Sequence, residues 1–333
     1  MKRIQIIGTQ RSGSNLLRVM LNQHHNVCAP HPPHLLKTFY PLLPRYGDLQ
    51  FKDNFISLVE DMITWVKLNP VAWQGFNPSP NQIIDRCTSP TVFQAFKSIY
   101  DWETSLSGKS VWVCKSMTNY EFADDFEKEN IFDHYIFLYR DGRDVALSFS
   151  KAIVGPKSAY YCAAQWNNDQ IASIELQERL GEKVVALSYE QLIENPEVEV
   201  KRLFDAIGLD MPEDIFGFPS SVESRVTAEA GEMWKNVVRP VIPDNKLKYI
   251  DEMNQRDQQI YESVAGAALH ALGYPVYYWP NQTLSFSEQD LDMMAAKEAS
   301  LKKEAKSRTP LHDLNLRKGQ DEFLLQLKQP KAV

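Results

Sequence analysis

Long hydrophobic runs are missing from this sequence. The longest mostly apolar stretch, residues 264–279, is broken by His270 and Pro275 and is too short to cross a bilayer. The start, Met1-Lys2-Arg3-Ile4-Gln5-Ile6-Ile7-Gly8, lacks the apolar centre of a signal peptide. Cysteine is scarce. Cys28, Cys87, Cys114 and Cys162 lie far apart with no C-x-x-C pair, and a chain of 333 residues needs no disulfide staples. Free thiols in a reducing compartment, and hence a cytoplasmic protein, are expected. No His, Cys, Asp and Glu residues recur at metal-ligand spacing, so no metal is implied. An excess of positive charge is also absent: 36 Lys and Arg face 43 Asp and Glu, for a net charge of -7. That balance argues against a nucleic-acid partner and against attachment to anionic lipid by bulk charge. Any bound anion must be held by a local site.

What is present is the composition of a folded globular protein, 44% hydrophobic and 24% charged. The length suits one large α/β domain or two smaller ones. Short apolar runs at 4–7, 27–29, 111–114, 134–139 and 183–187 read as strands. Helical periodicity follows at 16–21, 51–68, 91–104, from 143, at 158–180 and at 197–207. Strands alternating with helices predict a mostly parallel sheet with helices on both faces, a three-layer α/β fold. From about residue 285 roughly a third of the residues are charged and apolar periodicity is weak. The chain is therefore divided into a domain over 1–280 and a charged tail over 281–333, helical or partly disordered.

The first strand runs into Gly8-Thr9-Gln10-Arg11-Ser12-Gly13-Ser14-Asn15-Leu16. Gly-x4-Gly between a strand and a helix has the length of a phosphate-cradling loop, where small residues let backbone N–H groups wrap an anion. A plain βα turn reads the same way. Nucleotide triphosphatases need Lys and then Ser or Thr after the second Gly. Here Ser14 and Asn15 hold those places, and the positive charge sits inside the loop at Arg11. A kinase or NTPase is thus a poor fit, though it stays as an alternative beside a P-loop-like nucleotide-binding protein without transfer activity.

A second unit, Tyr139-Arg140-Asp141-Gly142-Arg143-Asp144-Val145-Ala146-Leu147-Ser148, sets Arg140 at a strand end and Ser148 eight residues on. Such a guanidinium can grip a phosphate in two places, or form a helix-start ion pair with Asp144. A third, Ala186-Leu187-Ser188-Tyr189-Glu190-Gln191-Leu192, places Tyr189 just past a strand, either in the core or against a base. Together the three resemble the PAPS-dependent sulfotransferases, in the bacterial and Golgi-type branch that carries Arg-Ser-Gly in the first loop. The resemblance spans roughly residues 4–280. It implies a P-loop-like fold and transfer of a sulfuryl group from 3′-phosphoadenosine 5′-phosphosulfate (PAPS) to an acceptor hydroxyl or amine. It also implies a donor site of Arg11, Ser12, Gly13, Ser14, Asn15 and Leu16 at the 5′ end, Arg140 and Ser148 at the 3′-phosphate, and Tyr189 near the adenine. The element Gly231-Glu232-Met233-Trp234-Lys235-Asn236 resembles the family's C-terminal donor loop with one residue extra. Counting back from Trp234 puts the family Arg on Thr227, so Arg225 is the nearby candidate for the 3′-phosphate.

Lys115 ends the strand 111–114 and, with Ser116, resembles the family's Lys-Ser/Thr pair that assists the leaving group. With Arg11 it is the expected source of charge stabilisation; a solvated strand-end lysine is the other reading. The proton acceptor departs from the family. Met117 stands where cytosolic members carry His, and Pro32 where Golgi-type members carry Glu. His31 and His34 flank Pro32, and an imidazole of ordinary pKa is a competent base. One of the two, His34 rather than His31, is the expected base. The acceptor is expected to be a small molecule, sugar or lipid. Aromatics from Phe39 to Trp102 either line its pocket or pack the core.

Overall fold

A computed structural model describes residues 1–329. Five strands form one parallel sheet: β1 (Lys2–Ile7), β2 (Val27–Cys28), β3 (Val111–Cys114), β4 (His134–Tyr139) and β5 (Val184–Ser188), in the order β2-β3-β1-β4-β5. The principal helices are α1 (Ser14–Leu21), α2 (Lys52–Lys67), α3 (Val92–Leu106), α4 (Gly142–Lys151), α5 (Ala159–Leu180), α6 (Gln255–Ala271), α7 (Glu288–Ser307) and α8 (Leu311–Lys328).

The strands are nearly continuous in apolar residues because both sheet faces are covered. Successive side chains alternate between two cores. Ile4, Ile6, Val111, Val113, Ile136 and Leu138 pack on the face that carries α1. Ile7, Trp112, Cys114, Tyr135 and Phe137 pack on the face that carries α2 and α3. β1 lies at the centre, and the chain builds the sheet first to one side of it and then to the other. The loop after β1, Lys115 after β3 and Arg140 after β4 therefore come out side by side at the carboxyl edge, where α/β sheets bind ligands.

The region expected as a charged tail forms α7 and α8 and lies against the rest of the chain; its last four positions fall outside the described residues. It docks through both apolar and polar contacts: on α8, Leu327 is buried in the core, and Leu316, Phe323 and Leu324 pack against core clusters. Glu298 on α7 is 4% exposed, and its Oε2 accepts from the Ser158 N–H and the Ser158 hydroxyl, both at 2.8 Å, and from the Lys157 N–H at 3.1 Å. That carboxylate satisfies free N–H groups at the start of α5. On α8, Asp313 accepts from the Glu232 N–H at 3.2 Å, and Gln320 donates to the Trp65 carbonyl at 3.1 Å. Among the described residues, no helix is long and apolar enough to cross a membrane. The four cysteines are free thiols.

Candidate active site

A cavity of about 1460 Å³ opens along the carboxyl edge of the sheet. Arg11, Gly13, Ser14, Asn15, Leu16, His31, His34, Lys115, Arg140, Ser148 and Tyr189 all line it. Eleven residues chosen from sequence thus meet in one space.

The loop geometry follows from its residues. Gly13 has φ +88°, and a Cβ there would come within 2.3 Å of the Tyr189 ring, so only glycine fits. Arg11 also takes a positive φ, 73°, a strained choice for a long side chain. That conformation sends its guanidinium across to α4, where Nε donates to Ser148 Oγ at 3.0 Å. The two strand-end units are therefore in direct contact. No carboxylate pairs with Arg11 among the described residues. Burial, and then the nearby Arg140, lower its pKa to about 10. Two guanidiniums share a space that an anion would neutralise.

Arg140 stands 4.5 Å over the Tyr189 ring and pairs with Asp144 at 3.3 Å. The helix-start ion pair is therefore real, yet Nε remains buried with no hydrogen bond. The Tyr189 hydroxyl accepts from the Asn245 amide at 2.6 Å. Lys115 donates to Asn15 Oδ1 at 3.1 Å, which ties the end of β3 to the start of α1. Burial foremost, with Arg18 and Arg11 adding to it, brings its pKa down to about 7. An anion placed beside it would restore the charged form.

Two of the expected donor residues do not line the cavity. Arg225 sits on the short helix Val222–Glu229 as an exposed side chain away from the cavity. From the segment that follows, Lys235 and Arg239 line the cavity. Thr227, where the family Arg falls, is buried and accepts from Arg18 Nη2 at 2.7 Å. Ser12 is fully buried, its side chain does not line the cavity, and its hydroxyl has no partner.

The histidines are held in a rigid loop. Prolines cannot donate, so neighbouring side chains satisfy its carbonyls. Trp65 Nε1 donates to the Pro33 carbonyl at 2.6 Å. Trp73 Nε1 and Asn69 Nδ2 donate to the His31 carbonyl at 2.7 and 3.1 Å. The aromatics of α2 and its neighbours thus serve the loop as well as the core. His34 takes φ 54°. Burial, then Lys115, pushes the His34 pKa down to about 3 and holds His31 well below its ordinary value. Both imidazoles are neutral at physiological pH but bind a proton weakly.

Sequence reading missed Asp169. This α5 residue lines the cavity at 3% exposure. Its Oδ1 accepts from the Tyr120 hydroxyl at 2.7 Å, and its Oδ2 has no hydrogen bond. Desolvation raises its pKa to about 6, against the opposing effect of Tyr120, Thr9 and Gln165. Gln170, beside it, donates to Thr9 at 2.8 Å and so connects α5 to the loop after β1. The signal was a pattern break: Trp166, Asp169, Gln170 and Ser173 follow helical spacing, and all are buried although three are polar.

Residues 3–213 match the sulfotransferase family. Protein-tyrosine sulfotransferase A of Caenorhabditis elegans is 22% identical over 301 residues, which cover 86% of this chain and 73% of that protein. Among solved structures, the sulfotransferase domain of the Synechococcus PCC 7002 olefin synthase has a TM-score of 0.54 at 18% identity and covers 83% of this chain and 95% of its own. The sulfotransferase domain of the curacin biosynthetic pathway gives the same TM-score and identity, with 83% and 99% covered. Both carry the same P-loop-like architecture.

Proposed function

The chain belongs to the sulfotransferase family, and on that premise we propose that it moves a sulfuryl group from PAPS to an acceptor hydroxyl or amine. The observation that carries this is the meeting of Arg11, Arg140, Lys115 and Ser148 in one cavity, with no carboxylate paired to Arg11 among the described residues. The residues fit the donor's two ends. The Gly13 to Leu16 backbone at the start of α1, with Lys115, suits a phosphosulfate. Arg140, Ser148 and the Arg11 guanidinium suit the 3′-phosphate, and the Tyr189 ring offers a face for the base. Arg11 thereby serves both ends, its backbone in the loop and its side chain on α4. Ser14 in place of a lysine keeps a kinase or NTPase the weaker reading.

In the transfer, the bond between sulfur and the bridging phosphate oxygen breaks, and a bond from sulfur to the acceptor oxygen forms. The electron pair leaves with the phosphate, where charge grows. Lys115 and the loop N–H groups are aimed at that charge. The acceptor's proton must go to a group in the cavity. We assign it to Asp169 in place of His34 or His31. Asp169 lines the cavity, and a carboxylate with a pKa of about 6 is a stronger acceptor than an imidazole pushed to about 3. The free thiols support a reducing, cytoplasmic setting.

The test is thermal stabilisation by adenosine 3′,5′-bisphosphate, the product that shares the donor's anchors. The wild-type protein is expected to melt higher with it. Arg11→Ala and Arg140→Ala are each expected to lose the shift, because each removes charge-assisted bonds to the ligand worth about 10- to 100-fold in affinity. Undiminished shifts in both variants would refute the donor site.

A further inference from the structure

Helix α8, beyond the residues that match the family, brings to the cavity a guanidinium the transfer does not use. Arg317 lines the cavity, and its Nε and Nη2 are buried without a hydrogen-bond partner. Its guanidinium carbon lies 5.4 Å from the centroid of the Trp234 ring. Trp234 in turn meets the His31 ring edge-on at 4.7 Å. Arg317 is half-buried, with its Nε and Nη2 withdrawn from solvent beside Trp234. The nearby carboxylates are Asp313 and Asp321, and neither forms an ion pair with Arg317 among the described residues. Asp313 instead accepts from the Glu232 N–H. Arg317 and Lys115 both disfavour protonation of His31 and of His34, so the histidine pair lies within the field of both cations. The cavity lining also includes Lys37, Arg308 and Lys328, with Trp65, Leu42 and Leu324 as apolar surface.

Two buried guanidinium nitrogens without a partner are costly unless an anion meets them, and the planar fork matches a carboxylate at two points. We propose that Arg317 anchors an acceptor subsite, and that the acceptor is an amphipathic molecule whose carboxylate lies apart from the hydroxyl that receives the sulfuryl group. This rests on the sulfuryl-transfer reading and adds the substrate class. Helix α8 is then a specificity element, and not a solvated extension.

The experiment uses the full chain saturated with adenosine 3′,5′-bisphosphate and measures acceptor binding by calorimetry, independent of turnover. Two matched pairs serve as probes: 4-hydroxyphenylacetate with 4-methylphenol, and 3-hydroxydecanoate with 2-decanol. In at least one pair the carboxylate member is expected to bind at least tenfold tighter. Arg317→Gln is expected to weaken it about 10- to 100-fold, the range for a hydrogen bond to a charged group. The neutral partner and the bisphosphate should bind the variant as before, and Arg317→Lys should restore part of the preference. With PAPS present, the loss in Arg317→Gln should appear in KM and leave kcat within a few-fold. No preference in either pair, or a preference that survives Arg317→Gln, would overturn the inference and leave the donor site standing. Loss of bisphosphate binding in Arg317→Gln would also overturn it, by placing Arg317 in the donor site. Failure of the wild-type protein to bind bisphosphate would overturn the transfer reading, and this inference with it.

Discussion

Asp169→Asn is expected to slow sulfuryl transfer by about 10²–10⁴-fold, the usual contribution of a positioned general base. Bisphosphate binding should be unchanged. The amide keeps the shape of the carboxylate, so its oxygen can still accept from Tyr120, now 2.7 Å from Oδ1. It cannot take the acceptor's proton. Folding should survive, because burial already disfavours the ionised carboxyl and the replacement is neutral. The measurement is single-turnover transfer from labelled PAPS to phenolic and aliphatic alcohols, with melting shifts run alongside. Asp169→Glu should recover part of the rate. If Asp169→Asn transfers within about threefold of wild type while His34→Ala or His31→Ala does not, the proton acceptor lies in the Pro-rich loop.

Lys115→Ala should cost about 10²–10³ in rate, the typical price of removing one donor aimed at developing charge. Its more specific signature is in pH dependence. Asp169 must be ionised to act, so kcat/KM should rise as pH increases through about 6. Lys115 must be protonated, so kcat/KM should fall as pH increases through about 7. The free enzyme should therefore show a narrow bell with its maximum between those values. The donor's negative charge favours charged Lys115, so the alkaline limb of kcat should lie higher than that of kcat/KM. Lys115→Arg keeps a permanent charge and should abolish the alkaline limb. An alkaline limb that persists unchanged in Lys115→Arg would assign it to another group.

Much of this site was legible in the sequence because a phosphate-binding unit needs a local chain pattern. A strand end, a glycine and a cation at fixed spacing are written contiguously, so the Gly8 to Leu16 loop, Lys115 and Arg140 could be read directly. The strands could be read too, because burial on both faces makes them apolar runs of distinct length. What escaped was set by tertiary contact. That Arg11 turns its side chain onto Ser148, 137 residues away, follows from a positive φ that no spacing announces. Arg225 lies on the helix Val222–Glu229 while Lys235 and Arg239, further along, line the cavity, a placement that an extra residue in this stretch hides from counting. Asp169 belongs to no motif, and the base role proposed for it rests on its burial beside Tyr120 and Thr9. The C-terminal helices dock through Glu298, Asp313 and Gln320 as well as Leu316, Phe323, Leu324 and Leu327, a short apolar stripe set among many charged residues.

The most direct test is a crystal structure of the protein with adenosine 3′,5′-bisphosphate. The 5′-phosphate is expected on the backbone N–H groups of residues 13–16 beside Lys115. The 3′-phosphate is expected against Arg140, Ser148 and the Arg11 guanidinium, with the base on Tyr189. Density for the nucleotide outside this cavity, or none at saturating ligand, would contradict the assignment of the fold's carboxyl edge as a sulfuryl-donor site.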